Sequence, residues 1–167
     1  MRIIHLTPGT GNFHCGSCLR DHALVRALRR LGHDASLAPL YLPLVTERSV
    51  EGLTTPELFF GGINVYLQQK SGVFRRTPRW VDRLLDAPRL LHLAADRSHM
   101  TTPEDHGELT LSMLAGEAGR QAKEVERLVA FLAEQGRPDV VCISNSLLLG
   151  VARRIHEATG ARIVTSM

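Results

Sequence analysis

Met1-Arg2-Ile3-Ile4-His5-Leu6-Thr7-Pro8-Gly9-Thr10-Gly11-Asn12 is the stretch that decides the fold. Arg2 to Leu6 is a short apolar run that reads as a strand. Thr7 to Asn12 is a turn rich in helix and strand breakers. From Ser17 the apolar residues Leu19, Ala23, Leu24, Ala27, Leu28 and Leu31 recur at helical spacing. Gly32 stops that helix, with Arg29 and Arg30 in its last turn. A strand, a glycine-rich turn and a helix make the opening unit of a parallel α/β sheet. In such sheets the turn at the carboxyl end of the first strand is where ligands bind.

Outward from this unit, Ala35 to Leu40 reads as the second strand, and Tyr41 to Glu57 as a long loop. Gly61-Gly62 is a turn. Ile63 to Gln68 alternates apolar and polar residues, as a half-buried strand does. Thr77 and Pro78 form a helix start, with Trp80, Val81, Leu84 and Leu85 as its stripe. Pro88 opens a second short helix through Leu93, and Arg97 to Gly107 reads as a polar loop. One long helix is expected from Leu109 to Gln135, with Leu111, Leu114, Ala118, Ala122, Val125, Leu128, Val129 and Leu132 along one face. Asp139 to Ile143 is an apolar run with little alternation, as in a strand buried on both faces. Ser144-Asn145-Ser146 is the turn after it. Leu147 to Ala158 is a helix closed by Gly160, and Ala161 to Thr165 is a final strand. Strands alternating with helices predict a doubly wound, Rossmann-like parallel sheet in one domain over residues 1–167.

The chain has 167 residues, of which 44% are hydrophobic, enough for one cored domain. A formal net charge of +3 suits an anionic ligand but is too small to argue for nucleic acid. No apolar run is long enough to span a membrane and no secretory leader is recognisable, so a cytoplasmic site is expected. Cys15, Cys18 and Cys142 do not make a disulfide framework.

Gly9-Thr10-Gly11 is suited to hold a phosphate. Small residues let backbone N–H groups approach an anion, and the helix that follows turns its positive end toward it. The dinucleotide fingerprint requires a third glycine three residues after the second, and His14 stands there instead. No Gly-Lys-Ser/Thr element is present, which excludes a P-loop. His14, Asn12, Ser144 and Asn145 are polar groups on the ligand edge suited to sugar hydroxyls. Ser144 or Asn145 also serves simply as a helix cap. Cys15-Gly16-Ser17-Cys18 has the spacing of a redox pair or half a zinc site, but zinc needs two further ligands and only His14 is nearby, and packing is the plainer account. Arg75, Arg76, Arg79 and Arg83 around Trp80 form a short basic amphipathic segment. It either touches an anionic membrane surface or an acidic acceptor, or packs its apolar stripe with arginines in water.

Strand one with Thr7-Pro8-Gly9-Thr10-Gly11, the exit Leu31-Gly32-His33-Asp34, Arg137-Pro138-Asp139-Val140-Val141 and Gly160-Ala161-Arg162-Ile163-Val164 together resemble the N-terminal half of family 4 glycosyltransferases. Phe60 to Lys70 resembles a subgroup feature of the bacterial enzymes. The resemblance implies a GT-B fold, two Rossmann-like domains facing across a cleft, of which this chain is the N-terminal, acceptor-side one. It implies retaining transfer from a nucleotide-sugar, with no metal and no cofactor beyond that donor. Gly9, Thr10 and Gly11 would lie against the donor diphosphate. The family's histidine after the strand matching Val140 to Ile143 is replaced here by Ser144-Asn145-Ser146, and its donor-holding basic and glutamate pairs have no counterpart. A fragment without the donor-binding domain, inactive alone and prone to self-association, is therefore expected. The alternatives are a stand-alone nucleotide- or sugar-binding module and a small redox or metal protein using Cys15 and Cys18.

Overall fold

A computed structural model of the chain describes residues 1–9, 15–41, 52, 54, 59–60, 65, 67–69, 71–78 and 103–166. Four strands, β1 (Arg2–Thr7), β2 (Asp34–Pro39), β3 (Val140–Ile143) and β4 (Arg162–Thr165), form one sheet in the order β2-β1-β3-β4. Every pairing is parallel, with Ile3 opposite Ala35 and Val140, and Val140 opposite Arg162. The α/β class and the parallel sheet expected from the sequence are therefore present, and the strand ends differ from the sequence reading by about one residue.

Alternation along β1 divides the core. Ile4 and Leu6 face one side, where they meet Val141, Ile143 and the apolar residues of α3 (Ala122–Glu134) and α4 (Ala152–Thr159). Ile3 faces the other side with Ala35, Leu37 and the buried Cys18 and Val25 of α1 (Gly16–Arg30). Helices thus cover both faces, as a parallel sheet requires. In α3, Val125, Leu128, Val129 and Leu132 recur every three or four residues and are all buried, so one stripe of the helix is removed from water. Each fully buried leucine there contributes about 2 kcal/mol.

The long helix expected over 109–135 is two helices. The first, α2 (Pro103–Leu114), ends before a 3-10 turn at Gly116–Ala118, and α3 begins at Ala122. The break has a steric cause. Gly116 adopts a φ of 57°, and a Cβ there would collide with the Gly150 carbonyl oxygen. The backbones of the two segments touch where a continuous helix would have placed side chains. Residues 103–107, expected as the end of a polar loop, are the first turns of α2, with Pro103 at the position where its missing N–H costs nothing. The helix expected from Leu147 opens as a 3-10 segment, Ser146–Val151, before α4.

The strand expected at Ile63 to Gln68 is also corrected. Val65, Leu67, Gln68 and Gln69 are helical. Two successive glutamines, Gln68 and Gln69, are both buried there. Gln68 donates to Glu124 Oε1 at 3.0 Å, and Gln69 accepts from Gln121 at 3.1 Å, so polar contacts with the start of α3 decide the conformation. Of the basic segment, Arg75 lies in a 3-10 turn and donates to the Gln68 carbonyl at 2.9 Å. Thr77, expected as a helix cap, instead closes the 3-10 turn Phe74–Arg76, its hydroxyl donating to the Phe74 carbonyl at 3.0 Å, and Pro78 is not helical. The rest of the helix expected from Pro78, the one at Pro88, most of the Tyr41 to Glu57 loop, and Arg79, Trp80 and Arg83 lie outside the described residues. Among the described residues no helix is long and apolar enough to cross a membrane.

Candidate functional site

The strand order creates the site. From β1 the chain crosses to β2 on one side, whereas β3 pairs with β1 on the other. β1 and β3 are therefore the neighbouring strands at which the order reverses, and in open parallel sheets ligands bind in the crevice outside the carboxyl ends of such strands. Gly9 lies on the β1 side of that crevice. It is buried and has a φ of 91°, a conformation that residues with a Cβ rarely adopt. The turn is tied down beside it, since Leu40 N–H donates to the Thr7 carbonyl at 2.9 Å and Tyr41 N–H to the Pro8 carbonyl at 3.0 Å.

Ser144 and Asn145 lie on the β3 side. Ser144 N–H donates to the Leu6 carbonyl at 3.1 Å, which holds the two edges together. The Ser144 hydroxyl is buried without a hydrogen-bond partner among the described residues. Asn145 caps the 3-10 segment, its side-chain oxygen accepting from Leu147 N–H at 3.0 Å. Of the residues singled out from the sequence, the structure thus brings Gly9, Ser144 and Asn145 to one sheet edge. Thr10, Gly11, Asn12 and His14 lie outside the described residues.

Beneath this edge is a polar cluster that the sequence did not announce. His5 and Thr7 point from β1 toward α1, where Asp21 meets both. His5 Nε2 lies 3.2 Å from Asp21 Oδ1, with side chains 2% and 0% exposed. The ring N–H is poorly aligned with that oxygen, so the contact is first an ion pair and only second a hydrogen bond. Thr7 Oγ1 donates to Asp21 Oδ2 at 3.0 Å, and Arg20 reaches Oδ1 at 3.0 Å. Arg20 also donates to the Ser144 carbonyl at 3.3 Å and to Ser166 Oγ at 3.0 Å. One half-exposed guanidinium therefore ties α1 to the ends of β3 and β4 and places a positive charge on the ligand edge.

Burial alone would push the His5 imidazole toward neutrality. The adjoining Asp21 carboxylate and the facing Cys142 thiol outweigh it and raise the pKa from 6.5 to about 9. Burial likewise opposes ionisation of Asp21, and is overcome by His5, Arg20 and Thr7, which hold the carboxyl below its ordinary range. The cluster is an internal ion pair with its oxygens satisfied.

The two cysteines of the Cys15-Gly16-Ser17-Cys18 segment occupy the N-cap and the third helical position of α1. That spacing turns both side chains to one end of the helix. Cys15 Sγ accepts from Cys18 N–H at 3.4 Å and lies 3.1 Å from Ser17 Oγ, while Cys18 is fully buried with its sulfur 3.5 Å from Thr7 Oγ1. Among the described residues no group of three or more His, Cys, Asp and Glu is placed to hold a metal ion.

An apolar cleft opens between this end of the sheet and α2, lined by Tyr41, Phe60, Met113, Leu147 and Leu148 among others. Its polar members, Ser112 and Gln121, bond to each other, and burial pushes the Tyr41 hydroxyl pKa up. The cleft leaves no local sign in the sequence, because its walls come from segments far apart in the chain. No protein-family model matches the chain, and neither the curated proteins nor the solved structures contain a match.

Proposed function

We propose that this chain is the acceptor-side, Rossmann-like domain of a retaining glycosyltransferase with a GT-B fold, in which the β1 turn faces the diphosphate of a nucleotide-sugar. The observation that carries the reading is the placement of Gly9 and of Ser144-Asn145 on either side of the crevice where the strand order reverses. The sequence resemblance to family 4 adds the reaction type. At such a turn, backbone N–H groups stabilise charge on the departing phosphate, and a Cβ would obstruct its approach. Arg20, fixed on the same edge, adds a cation near the anion. Ser144 offers the sugar or acceptor a buried hydroxyl with no partner of its own among the described residues. Transfer itself requires a second, donor-binding domain, and the acceptor is a polar molecule that these hydroxyl and amide groups can hydrogen-bond.

Isothermal titration of the chain with uridine, guanosine and adenosine diphosphates tests the reading. Weak saturable binding of one of them, lost in Gly9→Val, is the expected result, with no sugar transfer by these residues alone. Equal binding by wild type and Gly9→Val when both are folded overturns it.

A further inference from the structure

We infer that Cys15 and Cys18 are a redox-active dithiol, with Cys15 the attacking thiol and Cys18 the resolving one, that exchanges with small disulfides of the glutathione class. The argument is geometric and does not depend on the glycosyl-transfer reading. The N-cap and third helical positions are those at which two side chains meet in a capping box, so α1 presents both sulfurs at its first turn. The two sulfurs sit in opposite surroundings. Cys15 is half-buried at the surface, while Cys18 is shut inside against Ile3, Val25 and Leu37. An incoming disulfide can reach only the first, and only the second can strike from behind.

The electrostatics follow the same division. Burial opposes ionisation of Cys15, but hydrogen bonds from Cys18 and Ser17 outweigh it and lower the thiol below its ordinary value. The helix N-terminus acts in the same direction. Burial pushes Cys18 up to about 11, helped by the neighbouring Cys15, against the opposing Thr7 hydroxyl and Gly9 N–H. The surface thiol is therefore ready to attack, and the buried one keeps its proton until needed.

Thr7 acts on the sulfur that this proton leaves. Its hydroxyl lies within reach of Cys18 Sγ and of Asp21 Oδ2, and it has one hydrogen to give. Turned to Cys18 Sγ, that hydrogen stabilises the thiolate as it forms. In the first step the Cys15 thiolate attacks one sulfur of the substrate disulfide, the S–S bond breaks, and one thiol leaves with a proton from solvent. In the second step Cys18 attacks Cys15 Sγ, and its proton passes through solvent to the departing sulfur. The mixed disulfide breaks, and the second thiol leaves carrying that proton. The dithiol loses two electrons and two protons, and the substrate disulfide becomes two thiols.

The test equilibrates the full chain with oxidised and reduced glutathione at a series of ratios, followed by acid quench, alkylation and tryptic mass spectrometry. Both cysteines lie between Arg2 and Arg20, so one peptide reports on them, carrying two alkyl groups when reduced and none when the bond has formed. Reversible conversion of that peptide, unchanged in Cys142→Ser, is expected. Cys18→Ser should stop at a glutathione adduct on Cys15, and Thr7→Val should slow ring closure about tenfold while leaving the Cys15 alkylation rate unchanged. A peptide that stays reduced in excess oxidised glutathione, or bonding that pairs Cys142 instead, overturns the inference. The wild-type titration decides it even where a variant is unstable.

Discussion

At His5 the carboxylate of one neighbour outweighs the desolvation that would otherwise leave the ring neutral. The stabilising contribution of this pair depends on pH in a defined direction. His5 has a folded pKa of about 9 against an ordinary 6.5, so its share is complete below about pH 6.5 and disappears as the pH rises through about 9. The shift corresponds to about 3 kcal/mol. Asp21, with its pKa lowered, loses its share only at acid pH below the ordinary carboxylate range. Thermal melts from pH 5 to 10 should therefore show falling stability above neutrality. Asp21→Asn should lower stability by about 3 kcal/mol near pH 6, because it leaves a buried imidazole without its counter-charge. The gap to wild type should narrow at pH 10. Titration of His5 by NMR should give a value near 9 in the wild type and below 6.5 in the variant. A His5 that titrates normally in both would remove the ion pair from the account.

Among the elements, α1 and the breaks around α2 and α3 carry opposite lessons about glycine. Gly16 opens α1, and a Cβ added there would meet no heavy atom within 4 Å. Gly16→Ala should therefore stabilise the chain by about 0.5 kcal/mol, through the unfolded state alone. Gly116 and Gly150 are different, since a Cβ on Gly150 would collide with the Met113 carbonyl oxygen. Gly116→Ala adds a strained φ to a clash of the same kind and should cost about 3 kcal/mol or more, a fall in Tm of roughly 6–12 °C at this chain length. Differential scanning calorimetry of the two variants separates the cases, and equal melting temperatures would mean the two backbones do not touch. These elements also show what was legible. The strands and α1 announced themselves because apolar runs and helical spacing are local signals. Gly116 and Gly119 stood in the sequence as warnings inside a helical pattern, but the apolar stripe from Leu111 to Leu132 runs across them and hides the break. The buried Gln68 and Gln69 mimicked a half-polar strand, and only Gln121 and Glu124, more than fifty residues on, reveal why they are helical.

For the molecule as a whole, sheet order turns separated turns into one site. Gly9 and Ser144-Asn145 were legible as ligand-edge residues because each follows an apolar run. The His5–Asp21–Thr7 cluster was not, since a histidine inside a strand carries no sign of a partner on the next helix. The same sheet order, among the described residues, leaves one side open. Among the described residues β4 pairs only with β3, so its outer edge presents unpaired backbone groups. Val164 is 50% exposed on that strand, on the face shared with Cys142. An open parallel edge beside an exposed apolar side chain is a template for pairing with another chain. The protein should therefore associate with itself as concentration rises. Val164→Lys places a charge on the strand, disfavours the pairing and should return the chain toward monomer with little change in Tm, because the side chain is already half in water. Sedimentation velocity across a hundredfold concentration range, roughly from micromolar upward where unpaired edges associate, would show the shift in wild type and its loss in the variant. A wild type that sediments as a monomer throughout would mean that the β4 edge is covered.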